Sequence, residues 1–80
     1  MITVRARLFA TLRHHYPDLG LGEALPVTLP EGSTVGDLIR ALHLPEEEIK
    51  IVFVNGLVKT AGDPLADGDE IGIFPPVGGG

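Results

Sequence analysis

The residues with the most direct chemical use stand at the end of this chain, Gly78-Gly79-Gly80, after Pro75-Pro76-Val77. A terminal glycine offers a bare carboxylate on an unhindered carbon. Joined to AMP as a mixed anhydride, that carboxylate becomes an electrophile, and a sulfur nucleophile attacking it yields a thiocarboxylate. This chemistry asks no catalytic base of the chain itself. It asks for a handle and a recognition surface, while partner enzymes supply the reactive groups. Glycines without side chains can lie extended in a narrow tunnel, closely approached by another protein. The competing reading is a frayed terminus, since chain ends are commonly loosely held. What raises the chemical reading is position, directly after a last strand and after Phe74-Pro75-Pro76.

The other titratable clusters support less. His14 and His15 are adjacent, so on an extended segment they face opposite ways and suit one metal poorly. His43 sits where a helix ends, a place that favours a protonated imidazole. Asp67, Asp69 and Glu70 resemble a cation cluster, yet calcium loops need more ligands at defined spacing, and a turn at Asp67-Gly68 explains the acids. No glycine-rich phosphate loop follows a strand, which leaves nucleotide binding by this chain unsupported. No resident cofactor or metal is therefore expected.

Eighty residues make one domain with one modest core. The chain has no cysteine, which excludes disulfides, thiolate metal sites, iron–sulfur ligation and thiol nucleophiles, and fits a reducing cytoplasm. The core must be aliphatic, since Trp is absent and there are only three Phe and one Tyr. No apolar run approaches the ~20 residues of a membrane span, and Met1–Ala10 lacks a signal-peptide hydrophobic region. A net charge of −5 argues against nucleic-acid binding and suits a basic protein partner. Arg5, Arg7 and Arg13 cluster early, and the alternation of the first two reads as a solvated strand face.

These features need a body to carry them. Ile2, Val4, Ala6 and Leu8 alternate with Thr3, Arg5 and Arg7, the period of a half-buried strand over residues 2–9. Residues 14–24, with Pro17, Gly20 and Gly22, read as a loop, and Leu25, Val27 and Leu29 resume the alternation as the second arm of an antiparallel hairpin. Thr34 with Asp37 is a capping-box pair, with Ser33 a rival cap. Val35, Leu38, Ile39 and Leu42 then mark one helical stripe, which Pro45 stops near His43–Leu44, while Gly36 weakens its first turn. Glu46–Glu48 read as a solvated acidic run. Ile51–Val54 is a continuous apolar run, expected to be buried on both faces or central in a sheet. Asn55-Gly56 signals a tight hairpin to a return strand over Leu57–Thr60, and Glu70–Phe74 is the last strand. The order β-β-α-β-β-β is the α+β arrangement called the β-grasp, or ubiquitin-like, fold: four to five strands in a mixed sheet on one main helix. Residues 1–77 form the domain, and 78–80 a flexible glycine tail.

With that order in place, the run Pro64-Leu65-Ala66-Asp67-Gly68-Asp69-Glu70-Ile71-Gly72-Ile73-Phe74-Pro75-Pro76-Val77-Gly78-Gly79-Gly80 closely resembles the C-terminal signature of the MoaD/ThiS sulfur-carrier family, above all its molybdopterin-synthase small-subunit branch. Val54-Asn55-Gly56 resembles that family's hairpin, and Ile2–Leu12 its opening strand. The resemblance implies a carrier that is non-catalytic alone. Its partners would be a ubiquitin-activating-enzyme-like adenylyltransferase, a sulfur donor and the large subunit of molybdopterin synthase, with AMP and the thiocarboxylate as transient groups on Gly80. It assigns Gly79 and Gly80 as the functional pair, and Phe9, Leu57 and Phe74 as docking positions, with Pro75, Pro76, Val77 and Gly78 entering the partner. For Phe74 a core position is the competing reading, and Pro75 and Pro76 read equally as stiffeners of the exit. The sulfur would build the dithiolene that holds molybdenum or tungsten. Carriers for thiamin thiazole, cysteine or tRNA thiolation share the fold and the Gly-Gly end, and the Phe-Pro-Pro before it favours the pterin branch. A modifier joined to lysines through Gly80, and a plain interaction domain with an idle tail, are the readings of other classes.

Overall fold

The first strand follows its alternation: β1 runs Ile2–Leu8, with Ile2, Val4, Ala6 and Leu8 buried. The computed structural model describes residues 1–76, so the expectations placed on Val77, Gly78, Gly79 and Gly80 lie outside the described residues. The remaining strands are β2 (Leu25–Leu29), β3 (Ile51–Val54), β4 (Leu57–Lys59) and β5 (Glu70–Phe74), with one α-helix, α1 (Val35–Ala41). They form a five-stranded sheet in the order β2-β1-β5-β3-β4. β5 lies parallel to β1, and the other pairs are antiparallel. This is the β-grasp: a mixed sheet holding one main helix against one face.

The helix forms where its caps say it should. Asp37 N–H donates to Thr34 Oγ1 (3.2 Å), and Thr34 N–H donates back to Asp37 Oδ2 (2.9 Å). Such a cap is worth about 1 kcal/mol. At the other end His43 adopts φ 57°, His43 N–H donates to Arg40 O and Leu44 N–H to Ile39 O. That pair of bonds closes the last turn in a Schellman motif and turns buried Leu44 back onto the core. The helix is thus shorter than its stripe, because Leu42 serves as the cap. Val35, Leu38, Ile39 and Leu42 are all buried, and they meet Ile71 and Ile73 of β5 and Val52 and Val54 of β3 in one cluster. Each such side chain contributes roughly 1.5–3 kcal/mol by leaving water.

Two expectations need correction. The opening strand does not extend to Leu12: it ends at Leu8, and Ala10–His15 winds into a 3₁₀ turn. Leu12 is fully buried, so its side chain pins that turn over the end of the core. Ile51–Val54 is neither central nor buried on both faces: β3 lies one strand in from the edge, with Val52 and Val54 buried and Ile51 and Phe53 only half-buried. Among the described residues no helix covers the face away from α1, and there Phe53 packs edge-on against Phe74 while Ile51 lies beside Phe74. Glu46–Glu48 is exposed as expected of an acidic run; it winds into a 3₁₀ turn, and Glu48 Oε1 lies 2.9 Å from His15 Nε2, joining the two turns.

The turns are fixed as the residue types require. Asn55 (φ 51°) and Gly56 (φ 84°) both take the left-handed conformation of a two-residue hairpin. Asn55 Oδ1 also accepts from Glu70 N–H (3.0 Å), tying this hairpin to the start of β5.

Candidate functional site

β5 is the third strand of the sheet, so the chain leaves for residues 77–80 from its middle rather than from an edge. Its last two residues are held, one from each side. Lys50 N–H donates to Phe74 O (2.8 Å), and Phe9 N–H to Ile73 O (3.1 Å). Past these bonds Pro75 is half-buried and Pro76 exposed. Neither proline can donate to a ladder, so pairing stops here and the chain departs.

The sheet face opposite the helix gathers aromatic rings around this exit. Phe9 and Phe74 stack with centroids 4.2 Å apart and planes within 3°, and Phe53 meets Phe74 edge-on at 5.6 Å. Register explains the gathering: Phe53 lies beside Gly72 on β3, and Ile51 beside Phe74. Gly72 supplies the room. A Cβ there would sit 3.3 Å from Phe74 Cε1 and 3.5 Å from Phe9 Cε2, so the rings can lie down over the sheet only because this position has no side chain. All three phenylalanines are half-buried, and Val58, opposite Phe53 on β4, is 58% exposed. Phe74 is therefore not a core aromatic, since the core lies on the other face.

The far end of the same face is polar and internally matched. Arg7 donates to Glu70 Oε1 (2.6 Å), with Arg5 Nε 3.4 Å from Oε2. Arg5 is exposed, as expected of a solvated strand face, while Arg7 is half-buried. The hydrogen bond from Arg7, then the charges of Arg5 and Arg7, hold Glu70 below its ordinary value of 4.5. A carboxyl depressed in the folded state stabilises the fold at pH values above its unfolded value and loses that contribution as pH falls through the folded one. Glu70→Gln should therefore lower the urea midpoint at neutral pH and flatten its acid decline. A variant with the parent's acid decline would show that Glu70 does not take part.

Other acids are spoken for by turns. Asp67 Oδ1 accepts from Thr3 N–H (2.8 Å), and Asp69 accepts from Ala66 N–H and from Asn55 Nδ2. These bonds support the turn reading of the acidic trio. Among the described residues no group of three or more His, Cys, Asp or Glu side chains is placed to hold a metal.

The sequence-predicted docking positions do not all meet. Phe9 and Phe74 are brought into contact. Leu57 is 63% exposed, but it pairs with buried Val54, so its side chain belongs to the helix-side face at the sheet's edge. Phe53, hidden in an apolar run, was not singled out by sequence. The signal available was its two-residue offset from Ile51, which sets both on one face once Val52 and Val54 are assigned to the core. No helix of the described residues is long and apolar enough to cross a membrane.

Comparison with known proteins agrees with the fold. The ThiS family model matches residues 6–80. No curated protein matches the sequence. Among solved structures, the Pyrococcus furiosus protein assigned as molybdopterin converting factor, subunit 1, is 28% identical, with a TM-score of 0.78 over 96% of this chain and 100% of that one. Small archaeal modifier protein 1 of Haloferax volcanii is also 28% identical, with a TM-score of 0.76 and the same coverage. A ubiquitin of Caldiarchaeum subterraneum, 17% identical over 99% of this chain and 98% of that one, has a TM-score of 0.61 and speaks for the fold alone.

Proposed function

The chain belongs to the ThiS family, and from that membership we propose that it is a sulfur carrier working through the carboxylate of Gly80. The carboxylate oxygen attacks the α-phosphorus of ATP on an activating enzyme, and pyrophosphate leaves. Hydrosulfide released by a sulfur donor then attacks the acyl carbon, AMP leaves with the acyl–oxygen bond broken, and after loss of the proton the thiocarboxylate remains. Gly79 and Gly80 are the reacting end, with Val77 and Gly78 next to them in the chain. Adenylation draws on ATP, which fits a cytoplasmic carrier. The observation that carries the reading is the aromatic face of Phe9, Phe53 and Phe74 directly beside the point where β5 hands over to Pro75-Pro76. A partner seated on that face receives the tail in a fixed direction.

Within this chemistry we assign the sulfur to dithiolene formation on a pterin precursor, delivered in the large subunit of a molybdopterin synthase. The Phe74-Pro75-Pro76 exit and the likeness to a molybdopterin converting factor subunit support that choice. A second reading, a modifier joined to lysines through Gly80, is favoured by the likeness to small archaeal modifier protein 1. Intact-mass analysis of the protein isolated from its cells separates them. A carrier shows a fraction heavier by one oxygen-to-sulfur exchange at the C-terminal residue. A modifier shows Gly80 in isopeptide linkage to other proteins. Persistent absence of the sulfur-exchanged fraction in cells making the cofactor would defeat the first assignment.

A further inference from the structure

Gly72 is the middle residue of β5, itself the middle strand of the sheet, and its backbone does not call for a glycine. Its φ lies outside the left-handed region, and it pairs in register with Arg7 on β1 and Phe53 on β3. A glycine inside a strand weakens it, because it loses more freedom on folding and brings no side chain to pack. What offsets that loss lies on the outer face. The three heavy atoms nearest to a Cβ added here all belong to two rings: Phe74 Cε1 at 3.3 Å, Phe9 Cε2 at 3.5 Å and Phe74 Cζ at 3.9 Å. The Phe74 ring has little freedom to give way. It is stacked on Phe9 at 4.2 Å and met edge-on by Phe53 at 5.6 Å, and Lys50 N–H holds the Phe74 carbonyl.

We propose that Gly72 is a positioning residue for docking: its bare backbone sets Phe74 and Phe9 flat against the sheet, in the arrangement on which the partner that receives the tail seats. The inference rests on the sulfur-carrier reading and adds to it a residue that acts through the two rings. A methyl at this position pushes Phe74 off the sheet, and a branched side chain pushes it further, because its γ-methyls occupy the space where the rings lie. Displaced rings stand out of the face, and a partner shaped to the flat pair meets them first. Phe74 directly precedes Pro75-Pro76, so the displacement falls at the root of the exit. Gly80 is untouched, so the damage is to docking and not to the reaction of a docked carrier. The strand, meanwhile, exchanges a glycine for a residue type that strands favour, above all with valine. Stability and docking are thereby separated at a single position.

The test compares full-length Gly72→Ala and Gly72→Val with the parent in ATP–pyrophosphate exchange on the cognate activating enzyme, over a range of carrier concentrations, beside urea unfolding of the same preparations. KM for the carrier should rise roughly threefold in the alanine variant and at least about tenfold in the valine variant, as for a disturbed docking anchor. The kcat should stay within about twofold, the mark of a change in binding alone. The urea midpoint should not fall. Ile73→Val is the opposite control: it removes a methyl from the buried face of the same strand and should lower the midpoint without raising KM. In the free protein, nuclear Overhauser contacts between the Phe9 and Phe74 rings should be present in the parent and lost in Gly72→Val. A parental KM in Gly72→Val, ring contacts that persist in it, or a rise in KM that only follows a fallen midpoint would overturn the proposal and leave the sulfur-carrier reading standing. A parent that supports no exchange defeats that reading, and the proposal falls with it.

Discussion

Deleting Gly80, or adding one residue after it, should abolish ATP–pyrophosphate exchange with the cognate activating enzyme while leaving the fold as it was. The reacting carboxylate moves by about 3.3–3.6 Å for each residue of extended chain. A misplacement of ~1 Å already costs on the order of a hundredfold when reacting groups must be aligned. Loss of exchange to background is therefore the expected result, and it is a loss in chemistry rather than in stability. The core cluster runs from Ile2 to Ile73, and the last clamp on β5 is the Lys50–Phe74 bond, so the change lies beyond both. Exchange and urea unfolding measured on the same preparations check both halves. Undiminished exchange in the deletion would remove Gly80 from the chemistry.

Phe74→Ala should weaken the complex with the partner that receives the tail by about 2–4 kcal/mol, roughly 30- to 1,000-fold in dissociation constant. The ring touches Phe9 face to face and Phe53 edge-on, so its loss also unseats its neighbours. Such aromatic pairs are worth about 0.5–1.5 kcal/mol each beyond the area they cover, so a smaller loss of stability accompanies the change. Isothermal titration of the folded variant separates the two effects. Leu57→Ala supplies the control: it lies on the other side of the sheet, and its substitution should shift the same constant by less than about 0.5 kcal/mol. A Phe74 variant that binds like the parent would reduce the aromatic cluster to scaffold, and a large effect at Leu57 would put the docking face on the wrong side.

What could be seen in the sequence was local. The Thr34–Asp37 cap, the Asn55-Gly56 hairpin and the Asp67-Gly68 turn each depend on residues within three or four positions, and all three form. The period of β1 and of the helical stripe likewise named the buried side chains correctly. What stayed hidden depended on distant pairing. Arg7 meets Glu70 across 63 positions, because β1 and β5 are parallel neighbours, and no local pattern announces that. Phe53 sits in an unbroken apolar run, where period cannot tell one face from the other. The turn at Ala10–His15 has a single buried anchor, Leu12, and Ala10 begins it at φ 53°, a conformation nothing about alanine signals. The docking half of the candidate site was legible in Phe9 and Phe74 as residue types, but their stacking needed the vacancy at Gly72.

The place of β5 in the sheet has a mechanical consequence. A partner that tugs on the C-terminal end pulls along a strand bonded on one side to β1 and on the other to β3. Hydrogen bonds that run across a strand share such a load all at once instead of opening one after another. The strand is thereby anchored in shear, and a threaded end can be drawn taut without peeling the sheet from its border inward.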